Sequence, residues 1–206
     1  MLKRTKGRLL LTLLVITGLA GTMKDSALSQ KERKGAIGLL KNSREELLKS
    51  VEGLTAKQWR FKASADQLSI EEYIYFTAGS EMKAQELLKS TMKNPSNPEK
   101  RLEIKYMDNQ LREMAQTLPV GASALSFQPN ATHVFKRPVD AMVKFQSIRQ
   151  EYIRYIRTST EDMRDHVIKT PDGWMDCYQY ILALAIRSKY VTEEVKRIKS
   201  EPGFPR

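Results

Sequence analysis

The side chains that most often do chemistry are scarce in this chain, which holds two histidines, His133 and His166, and one cysteine, Cys177. A metal site needs three or four converging donors, and structural zinc sites usually draw on several thiolates. His133 and His166 lie far apart with no ligand spacing between them. Only the fold could assemble His166, Cys177 and a carboxylate into a site, and the geometric demands on the ligands and their supports are strict. The plainer reading makes His166 a turn residue with local hydrogen bonds and Cys177 a buried structural thiol. No local motif announces a Ser-His-acid triad. No catalytic residue, metal or cofactor is therefore assigned. A lone cysteine also excludes an intramolecular disulfide.

The elements that would position any site are helical. Ile37, Leu40, Leu47, Leu48 and Val51 recur at helix spacing over residues 31–52, and Gly53 stops that helix. A connector from Leu54 to Leu68 carries Trp59 and Phe61. Ser69-Ile70-Glu71-Glu72 reads as a capping box that opens a long helix ending near Lys93. Asn97 then caps a third helix, with Pro98 at its first position, running to about Thr117. Residues 118–136 read as a long irregular loop, a crossover or a lid. Pro138 starts a fourth helix through Thr158, and a last long helix is expected from Trp174 to Ser200. In that last helix Cys177, Ile181, Leu184, Ser188, Val191, Val195 and Ile198 form one seam. Strand signals are nearly absent. The expected fold class is all-α, a four-helix bundle with a long crossover connection.

The N-terminus reads as an export leader. Lys3, Arg4, Lys6 and Arg8 precede an apolar stretch from Leu9 to Ala20. That stretch is too short for a bilayer-spanning helix, which takes roughly 20 residues. Ala27-Leu28-Ser29 offers small residues at the two positions a signal peptidase reads, so cleavage is expected near Gln30. The expected organisation is a leader over 1–29 and one domain over 30–206, periplasmic or secreted; an uncleaved anchor is the rival. The leader supplies +4 of the formal net charge of +11, leaving +7. Those charges are interspersed with acids, as in Lys31-Glu32-Arg33-Lys34, without the aromatic interleaving of a nucleic-acid platform. Nucleic acid is not expected as a partner, nor is a stable membrane span once the leader is removed.

Three segments carry a resemblance. They are Gly53-Leu54-Thr55-Ala56-Lys57-Gln58-Trp59-Arg60-Phe61-Lys62 running into Leu68-Ser69-Ile70-Glu71-Glu72, then Gly173-Trp174-Met175-Asp176-Cys177-Tyr178-Gln179, and the tail Pro202-Gly203-Phe204-Pro205-Arg206. In order and spacing they resemble the DinB-like family of four-helix bundles, described as metal-dependent hydrolases or thiol transferases. The resemblance implies metal binding through three histidines, one on the second long helix and a His-x-x-x-His pair on the last. The corresponding positions here are Phe76, Arg187 and Val191. Phe and Val offer no lone pair, and Arg remains protonated. The tryptophan that opens the family's second helix is Leu68, although Ser69 and Glu72 remain.

The expectation is an exported, metal-free and non-catalytic binding or interaction module for a small molecule or a protein, able to pair into a homodimer. The alternative is a metal-independent enzyme in which Arg187, near Glu72, orients an anionic substrate. Against it, Arg187 is expected to snorkel outward or pair with an acid such as Glu72. Asp176, Tyr178 and Gln179 are expected to anchor the start of the last helix.

Overall fold

The computed structural model describes residues 28–118 and 135–206. Residues 1–27 of the expected leader, most of the expected loop and His133 lie outside the described residues. The helices are α1 (Gln30–Ser50), α2 (Ala56–Arg60), α3 (Ile70–Lys93), α4 (Asp108–Thr117), α5 (Pro138–Thr158) and α6 (Cys177–Ser200). A 3-10 turn spans Pro98–Glu103, and strands β1 (Val167–Thr170) and β2 (Gly173–Asp176) pair as an antiparallel hairpin.

Side-chain pairs fix the direction of each helix. Tyr178 bonds the Glu32 carbonyl, Lys189 meets Glu46 and Lys199 bonds the Ser50 carbonyl, so α1 and α6 run parallel. Arg33 reaches the Ile156 carbonyl and Arg44 reaches Gln150, so α5 opposes α1. Arg149 meets Glu81 and Gln85 meets Glu151, so α3 runs with α5. Tyr73 bonds Glu194, which sets α3 against α6. The four long helices therefore run up, down, down, up. Two successive parallel helices cannot be joined by a tight turn, which is why the chain between α3 and α5 must travel the length of the bundle.

Local chemistry sets the helix starts. Ser29, Thr55 and Ser69 each accept from the amide three residues on, and Glu32, Gln58 and Glu72 reach back to the cap amide. Ser29 belongs to the folded domain, and so does Leu28, which is 5% exposed with its carbonyl accepting from Arg33 Nε at 2.9 Å.

Two sequence expectations are corrected. The third helix is broken: the 3-10 turn ends at Ile104, which bridges to Trp174, and α4 begins only at Asp108. The last helix starts at Cys177, because Gly173 (φ +114°) turns the hairpin and Gly173–Asp176 is strand. Once begun, α6 is buried on every side from Cys177 to Ile186, enclosed by α1, α3, α4 and the hairpin. Its expected seam residues are all buried.

The core has two apolar parts. One gathers Leu40, Leu88, Leu111, Ile148 and Ile181 near the hairpin. The other gathers Leu47, Ile74, Phe145, Val191 and Val195 at the opposite end. The long helices also bury polar residues, among them Ser43, Glu81, Arg149 and Ser188, one from each helix. No helix among the described residues is long and apolar enough to cross a membrane.

Candidate functional site

The strongest electrostatic feature inside the bundle was not visible to sequence reasoning. Arg149, with no exposed surface, meets Glu81 Oε1 at 2.6 Å, and its Nη2 also donates to the Leu184 carbonyl and Ser188 Oγ. Tyr152 closes over the pair, its hydroxyl 3.4 Å from the Glu81 carbonyl. Burial raises the Glu81 carboxyl, against the pull of Arg149. Glu81 Oε2 and Arg149 Nε and Nη1 are buried without a partner among the described residues. Enclosure of this kind suits a structural pair. A signal did exist: Glu81 continues the stripe Tyr73, Thr77 and Ala84 on α3, and Arg149 lies beside Phe145, Ile148 and Tyr152 on α5.

The three positions implied by the family resemblance are engaged in other ways. Val191 has no exposed surface and packs in the apolar cluster with Tyr73, Ile74 and Val195. Phe76 is half-buried on α3. Arg187 pairs with Asp172 at the hairpin turn, 3.6 Å away, and its guanidinium carbon sits 5.9 Å from the Tyr180 ring centre. Arg187 therefore pairs with an acid, one of the two expected outcomes, but the acid is Asp172 and not Glu72. Glu72 has other work. It closes the capping box with Ser69 and pairs with Lys62 at 2.8 Å. Burial would raise the Glu72 carboxyl, but the Lys62 and Ser69 bonds outweigh it and lower it. These three side chains do not fit a divalent cation, because none can donate a lone pair. No group of three or more His, Cys, Asp or Glu positioned for a metal occurs among the described residues.

His166 and Cys177 do not form a site together. His166 Nδ1 lies 2.6 Å from the Asp162 carbonyl and Nε2 lies 3.1 Å from the Asn94 carbonyl, so both ring nitrogens are occupied. The Cys177 amide bonds the His166 carbonyl. Burial, and then the Asp176 charge, pushes the Cys177 thiol up, away from the reactive thiolate.

Asp176, Tyr178 and Gln179 belong to a junction centred on Arg164. Arg164 bonds Glu32 at the start of α1, Asp108 at the start of α4 and Asp176 at the cap of α6. Its guanidinium carbon stacks 4.1 Å from the Tyr178 ring centre. Asp176 accepts the Gln179 amide, and Gln179 Nε2 bonds the Tyr106 carbonyl and Asp108. The Tyr178 hydroxyl accepts from Arg112 and donates to the Glu32 carbonyl. Three helix N-termini, each favouring negative charge, are thus tied by carboxylates to one cation.

The bundle has a counterpart among solved structures. The chain superposes on YfiT from Bacillus subtilis, described as "a probable metal-dependent hydrolase with an unusual four-helix bundle topology", with a TM-score of 0.59. The match covers 87% of this chain and 92% of that one, at 13% sequence identity. The fold is the DinB-like four-helix bundle. No protein-family model and no curated protein matches the sequence. Agreement in fold at so low an identity carries no chemistry across, so what this DinB-like bundle does must be argued from its own residues.

Proposed function

We propose that this DinB-like domain is a metal-independent, non-catalytic binding module that works outside the cytoplasm. One observation carries the reading: the positions matching the family's ligands hold an apolar core residue, a half-buried ring and an arginine already paired with Asp172. Arg187 held by Asp172 is also poorly placed to orient an anionic substrate. The enzyme reading keeps one observation in its favour, since Arg187 Nε is buried without an acceptor among the described residues.

The extracytoplasmic setting rests on the basic, then apolar N-terminal sequence. Leu28 and Ser29 take part in the fold, which favours a cut upstream of Leu28. Gly18-Leu19-Ala20 offers small residues at the two positions required.

Metal analysis of the protein, purified without chelator or histidine tag and then exposed to excess Zn²⁺, Ni²⁺ or Mn²⁺, tests the main reading. Substoichiometric metal is expected. Tight stoichiometric metal would overturn it and move an enzyme role to first place.

A further inference from the structure

We infer that the cleft between the C-terminal halves of α3 and α5 binds a free amphiphile with a single apolar chain and a carboxylate head. The cleft encloses about 420 Å³, within the size range of small-molecule sites. Leu88, Met92, Tyr152 and Tyr155 give it an apolar lining. Met92 is half-buried and unbranched, a side chain that adapts to chains of differing shape. The groove lies apart from Phe76, Arg187 and Val191, so the inference does not depend on how those positions are read.

Two rim cations without an acid partner select the head group. The rim acids are already engaged: Glu151 accepts from Gln85 at 2.7 Å and lies 3.7 Å from Lys89, and Glu161 accepts from the Tyr155 hydroxyl at 2.6 Å. The cations Lys93 and Arg154 are exposed, and neither side chain has a hydrogen bond or ion pair among the described residues. Both helices end here, and each C-terminus carries about half a negative charge. Lys93 and Arg154 balance those two ends and the Glu161 carboxylate, and Arg154, with no acid of its own, can present two parallel N–H donors to a carboxylate. The head therefore contributes selectivity while the buried chain contributes most of the affinity.

Calorimetric titration of the full-length chain with hexanoate, octanoate, decanoate and decanol tests this, alongside two variants. One-to-one binding is expected to tighten by about fourfold per added methylene. Lys93→Glu with Arg154→Glu, both at exposed positions, should weaken decanoate by about tenfold and leave decanol unchanged. Met92→Trp, which fills the cleft, should abolish binding of both while the helical circular dichroism and Tm hold. Absence of decanoate binding, or binding that Met92→Trp leaves intact, would overturn the inference. So would binding to anionic vesicles by a protein that ignores soluble decanoate.

Discussion

Arg149 and Glu81 raise the question of why a bundle keeps an ion pair in its middle. Removing two charges from water costs several kcal/mol each, and their attraction repays that only in good geometry. With Oε2, Nε and Nη1 left without partners, this pair is a poor source of net stability. Its value lies in registry. It fixes α3 against α5 and, through Ser188, against α6, at the level where the two apolar parts of the core meet. Arg149→Met alone should strand Glu81 and cost about 3–5 kcal/mol, read by urea denaturation. The double change Glu81→Leu with Arg149→Met should recover most of that loss. A double variant as unstable as the single would mean that the pair itself stabilises the fold. Neither residue belongs to a local motif, so both passed unnoticed in the sequence despite lying on apolar stripes.

At the scale of elements, the Ser69 capping box and the seam of α6 were legible because their signals are local, whereas the boxes at Ser29 and Thr55 were passed over as leader and connector. Ser69 followed by Glu72, and apolar residues spaced by three and four, need no partner to be recognised. The hairpin was not legible. Its strands are four residues each, Val167–Thr170 and Gly173–Asp176, and β2 runs straight into helix-like spacing. Only pairing across the Gly173 turn makes them strands, and that pairing is tertiary information. The break between Glu103 and Asp108 was hidden for the same reason, since Ile104 is held by Trp174. The start of α1 carries a test of its own. Ser29→Ala should cost about 1 kcal/mol through loss of the cap. On the proposed export, intact mass of the processed product should place its N-terminus upstream of Leu28, and a product starting at Gln30 would mean the domain tolerates losing both residues.

At the scale of the whole molecule, the Arg164 junction makes acid stability depend on its carboxylates. Burial alone would raise Glu32, but bonds from Ser29 and Arg164 outweigh it and bring its pKa from 4.5 to about 2. A carboxyl lowered on folding stabilises the native state above its unfolded value, and that contribution is lost as pH falls through the folded one. Asp108 moves the same way, its burial outweighed by Arg164 and Gln179, whereas burial raises Asp176 and opposes them. The clean comparison is therefore Glu32→Gln, which keeps the capping geometry. Wild type should be the more stable above about pH 4.5, and the difference should shrink to nothing towards pH 2. A constant difference across that range would remove Glu32 from the account. The bundle order itself was only half legible: four long helices and a crossover could be read, but their directions follow from pairs such as Tyr178 with Glu32 and Arg149 with Glu81, which no spacing encodes.

Because the first and last helices run the same way, the domain leaves its two chain ends at opposite poles. The 24 residues of α6 span about 36 Å at 1.5 Å per residue. The tail does not return: Phe204 packs on Phe61 and Gln58 bonds the Pro205 carbonyl at the far pole. Joining Arg206 to Leu28 in a circular permutant would need a linker of about ten extended residues, laid along the outside of the bundle. A surface tethered through residues ahead of Leu28 would hold the Arg164 pole close and turn the Phe204 pole outward.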